Sequence, residues 1–190
     1  SGRIADIKVD TKNPSVWYIA VGSGGVWKTQ NAGITWKPVF DEQPVFSTGD
    51  VTIDPSNSNI IWVGTGENNG GRHVSFGDGV YKSLDGGETW ENKGLNESEH
   101  ISDIIVHPND SNTIWVSSQG QLVERGLFKT SDKDCLLDKT SSRLQTNRST
   151  DENKYDCSNH GKEDTRVIES IDKHLSNVVL LKTFLDLTKE

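Results

Sequence analysis

The chain has 190 residues, a hydrophobic fraction of 32%, 18 Gly, 6 Trp and a formal net charge of −8. The acidic balance argues against a general nucleic-acid binder, which needs a basic face, and no apolar run approaches the roughly 18 residues of a membrane span. Few aliphatics with many Gly and Trp suit short strands joined by tight turns better than a helical bundle.

No secretory leader is visible, but the chain starts at Ser1 and contains no Met. It therefore reads as a processed or fragmentary chain, and the missing leader says little about location. Composition changes sharply near Asp134. All 6 Trp, all 5 Pro and 17 of the 18 Gly precede it, whereas Cys135 and Cys157 follow it.

Three segments repeat before that point. Ile4–Asp10 continues through Asn13-Pro14 into Val16–Ala20, Thr48–Asp54 through Pro55 into Ile60–Gly64, and Ile101–His107 through Pro108 into Thr113–Ser117. Each then reaches a matching run, at Gly25–Thr29, Gly79–Ser83 and Gly126–Thr130. Apolar residues alternate within the runs, as in Ile7 and Val9, which is the period of half-buried strands. Four short strands in each unit of about 45 residues is the signature of a propeller blade. The expected fold over residues 1–133 is therefore all-β, a partial β-propeller of about three four-stranded blades, with repeats of about 1–45, 46–98 and 99–133.

The third strand of each unit runs into a distinctive turn. Ser83-Leu-Asp-Gly-Gly-Glu-Thr-Trp90 fits S-x-D-x-G-x-T-W throughout, and Thr29-Gln-Asn-Ala-Gly-Ile-Thr-Trp36 fits with Asn31 in place of Asp. The short side chain of Asp85 or Asn31 is placed to accept N–H groups of its own turn. Gly87 and Gly33 supply the positive φ of a tight hairpin, and Trp90 and Trp36 are expected to bury against the blade. In the third unit Asp134 stands where Gly is required and no Trp follows, so its fourth strand is expected to be missing or poorly formed.

These turns resemble the Asp-box, or bacterial neuraminidase repeat, of sialidases, sortilins and xyloglucanase-type propellers. Over residues 1–133 the chain is most similar to bacterial secreted proteins of the sortilin-type repeat class, many of them labelled glycosyl hydrolases. The resemblance implies an extracellular or periplasmic protein. It also implies that the set Thr29, Asn31, Gly33, Trp36, Ser83, Asp85, Gly87 and Trp90 is structural and faces away from any binding site.

Sites on a propeller sit where the second-to-third and blade-to-blade connections gather. In repeat two that connection is enlarged to Glu67–Asp78 and holds Glu67, Asn68, Arg72, His73 and Asp78. Arg grips carboxylates and Phe76 offers a stacking face, so this loop is a candidate for sugar or peptide binding. The alternative is a solvated loop packed on its own blade. Arg3, at the mouth of the first strand, joins the candidates, because sialidases bind the substrate carboxylate with an arginine near the first blade. A glycosidase needs two carboxylates at a fixed separation. Glu67 with Asp78 is the one pair to nominate, and no catalytic residue is assigned. His100 and His107 lack companions at metal spacing, and His107, before Pro108, reads as a turn residue. No metal and no cofactor are expected.

Residues 134–162 are polar and aperiodic and are expected to be a disordered linker, with a disulfide between Cys135 and Cys157 one option for the two thiols. Over 163–190 a stripe of Val167, Ile171, Leu175, Val178, Leu181 and Leu185 has helical spacing. The leading expectation is a non-catalytic module binding protein or glycan on its loop face, with self-association through open blade edges. The alternatives are a glycoside hydrolase fragment and a chimeric product without independent function.

Overall fold

The computed structural model describes residues 2–68, 74–119 and 126–130 in full and the backbone of 138–139. The linker, helix and cysteine pair expected in the tail lie outside the described residues. Among the described residues twelve strands form three antiparallel four-stranded sheets, each wound in simple chain order. The first holds β1 (Ile4–Val9), β2 (Trp17–Val21), β3 (Gly25–Thr29) and β4 (Lys37–Pro38). The second holds β5 (Thr48–Ile53), β6 (Ile61–Thr65), β7 (Val80–Ser83) and β8 (Glu91–Asn92). The third holds β9 (His100–His107), β10 (Asp110–Gln119), β11 (Gly126–Thr130) and β12 (Asp138–Lys139). No helix occurs among the described residues, and the arrangement is a partial β-propeller.

The register repeats as the sequence does. Val51 pairs with Val63 and Val63 with Tyr81, just as Ile7 pairs with Ile19 and Ile19 with Trp27. In the third sheet the same row is Ile104, Val116 and Phe128. A register shift follows the first paired residue of β1 and β5, and β9 shows one at the equivalent place, so Asp6, Asp50 and Asp103 occupy one repeat position.

The cores lie between the sheets. Tyr18, Ala20 and Val26 of the first blade pack against Val51, Ile61, Val63 and Tyr81 of the second. Trp62 and Val80 of the second pack against Ile101, Ile104, Ile114, Val116 and Phe128 of the third. Alternation therefore does not sort β6 into a wet and a dry face: all five of its residues are buried, because a blade stands on each side.

In one respect the structure departs from the expectation for the third unit. β12 is present and pairs Lys139 with Phe128 and Asp138 with Lys129, and it is as short as β4 and β8. A ladder is made of backbone groups, so the strand forms even where the sequence lacks the Gly and Trp of the preceding turns.

Candidate functional site

Two ends of the blades are distinguished by their connections. At one end the β1–β2 and β5–β6 turns meet the turns that follow β3 and β7: Ala32 N donates to Ser15 O and Gly86 N to Asn59 O. Asp85 accepts the Ser83 hydroxyl at 2.7 Å, the N–H groups of Glu88 and Thr89 at 3.0 and 2.9 Å, and the Thr89 hydroxyl at 2.6 Å. The Thr89 hydroxyl and N–H, with the other donors, hold the Asp85 carboxyl down at about 2. Asn31 repeats the design with its amide oxygen, accepting Thr35 N at 2.9 Å and the Thr29 hydroxyl at 3.0 Å. Gly87 and Gly33 sit at φ 94° and 88° and donate to the hydroxyls of Ser83 and Thr29. Trp90 packs not on its own sheet alone but across onto Phe40, with its indole N–H on Val39 O at 2.6 Å. Trp36, one repeat earlier, stands edge-on to Trp17 and is only part-buried.

The other end carries the candidate site. The start of β1, the β2–β3 loop, the segment before β5 and the β6–β7 connection converge there. Arg3 Nε donates to Glu67 Oε1 at 2.7 Å and Nη2 lies 2.6 Å from the same oxygen. The Glu67 side chain is 2% exposed and that of Arg3 59% exposed. Glu67 N donates to the Ser47 hydroxyl at 3.0 Å, and that hydroxyl donates to Ser75 O at 2.9 Å. Gly22 makes room for the carboxylate: a Cβ there would stand 2.6 Å from Oε1 and 2.8 Å from Oε2. Burying a carboxylate is tolerable only with such pairing. The buried group anchors a guanidinium that stays open to solvent.

Asp78 accepts the Tyr81 hydroxyl at 2.7 Å and contacts the Thr65 hydroxyl at 3.3 Å, while its N–H donates to Thr65 Oγ1. Burial, with the Asp78 carboxylate beside it, pushes the Tyr81 phenol up to about 12. Both members of the nominated carboxylate pair thus have partners in the frame of the blade. Asn68 is exposed, and Arg72 and His73 lie outside the described residues. Phe76 is exposed and meets the His100 ring edge-on at 5.4 Å, and Phe46 is exposed as well. His107 ends β9 and accepts Asn109 N on Nδ1, as a turn residue does. Among the described residues no three His, Cys, Asp or Glu side chains form a metal-holding group.

A second set of carboxylates, Asp6 and Asp50 at the repeat position described above, lies on the first strands of the blades. Asp6 Oδ2 contacts Val51 N at 3.4 Å, and Asp50 Oδ2 accepts Ile104 N at 3.0 Å, so each ties its own first strand to the first strand of the next blade. Lys8 Nζ stands 2.5 Å from Asp6 and 3.9 Å from Asp50. Burial pushes Asp50 up to about 8; Lys8 opposes the shift and the Asp6 carboxylate adds to it. The signal available in the sequence was a charged residue recurring inside otherwise apolar strands, which calls for a fixed partner.

The fold defines a class, the β-propeller, and comparison with solved structures agrees. The chain is similar to an ancestral GH74 enzyme, with a TM-score of 0.56 and 18% identity over 70% of this chain and 18% of that one. It is similar as well to the GH74 xyloglucanase of Xanthomonas campestris, with a TM-score of 0.56 and 14% identity over 74% of this chain and 24% of that one. The chain thus spans less than a quarter of the length of either, and at these identities the likeness is one of fold. No protein-family model and no curated protein matches the chain.

Proposed function

We infer that this chain is part of an extracellular or periplasmic Asp-box β-propeller, of the sortilin-like kind, whose loop face binds a carboxylate-bearing glycan or an acidic peptide without hydrolysing it. The observation that carries the reading is the Arg3–Glu67 pair. A buried carboxylate orients a half-open guanidinium at the mouth of the loop face, and a guanidinium so held recognises carboxylates by direct hydrogen bonds. Exposed Phe76 and Phe46 add apolar faces, and Asn68, Arg72, His73 and Asp78 complete the set drawn from the enlarged loop. Both Glu67 and Asp78 are engaged in holding the frame, which speaks against this pair as the acid and base of glycoside hydrolysis.

The test is a glycan array and a peptide panel on the wild type and on Arg3→Lys, which keeps the charge and loses the planar fork. Binding of uronic- or sialic-type glycans or acidic peptides that falls at least tenfold in Arg3→Lys supports the reading. Binding that is unchanged, or equally strong for neutral xyloglucan oligosaccharides, overturns it. The second reading, a glycoside hydrolase fragment, draws on the likeness of fold to GH74 enzymes. Release of chromophore from a glycoside panel would favour it.

A further inference from the structure

The enlarged β6–β7 connection of the second blade touches the start of the first strand in all three described blades. Arg3, Ser47 and His100 occupy one repeat position, each directly before the pair that precedes the register shift, namely Ile4 with Val21, Thr48 with Thr65 and Ile101 with Ser118. Arg3 bonds Glu67 at the start of the connection. The Ser47 hydroxyl accepts the Glu67 N–H at 3.0 Å and donates to Ser75 O at 2.9 Å, so one side chain joins both arms of the loop. His100 meets Phe76 ring to ring at 5.4 Å. Main-chain bonds close the neck: Gly66 N donates to Ser47 O at 2.9 Å and Gly77 N to Glu99 O at 2.8 Å. A Cβ at Gly66 would collide with Glu99 O, so only glycine lets the neck lie this close to the third blade.

Held at both ends, the loop carries an aromatic face in a fixed place. Phe76 is 61% exposed, so it offers a face and not the inside of a pocket. Its ring and that of His100 stand at 61°, an edge-to-face contact. His100 is half-buried and its Nδ1 is buried without a hydrogen-bond partner, so the ring is set there by packing rather than by a bond at that nitrogen. Polar residues adjoin it: Gln119 is the ladder partner of His100, and Glu99 precedes it in the chain. An exposed aromatic face bordered by hydrogen-bonding groups suits a pyranose, which has C–H groups on its faces and hydroxyls around its rim. An acidic peptide fits less well. The chain carries a net charge of −8, and the connections that lead into Ser47 and His100 expose Asp41, Glu42 and Glu97. A ligand with many carboxylates is repelled there more strongly than one with a single carboxylate for Arg3.

We propose that Phe76 is the stacking platform for a sugar ring and His100 its positioning residue, so that the ligand of the loop face is an oligosaccharide with one carboxylate, its acidic unit at Arg3 and a neighbouring unit over Phe76. The path between the two is short: Glu67, which bonds Arg3, also donates its N–H to Ser75 O at 3.3 Å, directly beside Phe76. This rests on the reading of the Arg3–Glu67 pair given above and narrows it from two ligand classes to one.

Isothermal titration calorimetry on the full chain tests it, with cellobiouronic acid and sialyllactose as sugar probes, triglutamate as the peptide probe and thermal melts as the check on folding. At least one sugar is expected to bind, and more tightly than triglutamate. Phe76→Ala is expected to weaken that binding about tenfold, Phe76→Trp to keep it, and Phe76→Leu, apolar but not flat, to fail as Phe76→Ala does. His100→Ala should weaken it several-fold and His100→Phe, which restores a ring, should return it. In the Phe76→Ala background the loss from His100→Ala should vanish, because a positioning residue then has nothing to position; an equal loss in both backgrounds overturns the role of His100. Triglutamate binding as tightly as the sugars, or Phe76→Leu as good as the wild type, overturns the proposal. Sugar binding that falls in Arg3→Lys but not in Phe76→Ala overturns the platform alone and leaves the carboxylate reading standing. The reverse pattern supports the platform and puts the failure in the carboxylate reading, and binding of neither sugar overturns both.

Discussion

Asp85 shows how much a single side chain does in this fold. Its four accepted hydrogen bonds close the turn after β7. Asp85→Ala is expected to lower stability by about 1–3 kcal/mol, toward the low end because solvent reaches the turn. Thermal melts check this, and ligand binding at the other end should be unchanged; lost binding at an unchanged melting temperature would put Asp85 in the site. Its carboxyl sits at about 2, below the ordinary 3.8. Its contribution is therefore present above about pH 4 and is lost as pH falls toward 2. Ala32 gives the opposite case. It adopts φ 55° where the next repeat has Gly86 at 72°. The left-handed region costs a side-chain-bearing residue about 1–2 kcal/mol, of which a glycine's greater unfolded freedom returns a part. Ala32→Gly is thus expected to stabilise by about 0.5–1 kcal/mol, readable in urea unfolding.

At the scale of the element, the innermost strands are tied together by carboxylates rather than by a shared ladder. Asp50 is protonated in the fold up to about pH 8, against 3.8 for a free carboxyl. The folded chain therefore holds a proton that the unfolded chain has released, and stability falls as pH rises from about 4 to about 8. Asp50→Asn keeps an oxygen for Ile104 N and has no proton to lose. Urea unfolding across this pH range should show the slope in the wild type and a flatter line in the variant. A slope equal in both would show that another group carries it.

For the three blades together, burial is uneven. Every residue of β6 is buried between two neighbours, while Ile4, Ile7 and Val9 of β1 are exposed. Opening free energies follow buried contacts, so amide exchange should be slowest at Ile61–Thr65 and faster in β1. Equal protection of β1 and β6 would contradict this reading. The central blade holds both cores in place, each made from one of its faces, and its loss should unfold the other two.

The sequence by itself determined the architecture of the described blades, because the information is local and repeated. Alternating apolar runs set strands, Asn, Pro and Asp punctuate them, and the S-x-D-x-G-x-T-W spacing places donors and an acceptor within one turn. The candidate site was legible only in part. Arg3 and Glu67 were each singled out, but their pairing spans 64 residues, and no local pattern carries such a contact. Gly22, which yields its side-chain space to Glu67, and Ser47, which receives the Glu67 N–H, gave no signal at all. Tertiary structure alone decided which face of each strand meets another blade. It decided that Trp90 crosses to Phe40, and that Asp6 and Asp50 lie close enough to shift a titration. Periodicity fixes which residues share a face of a strand, but only the packing of one sheet on the next fixes what that face touches and how far its charges are removed from water.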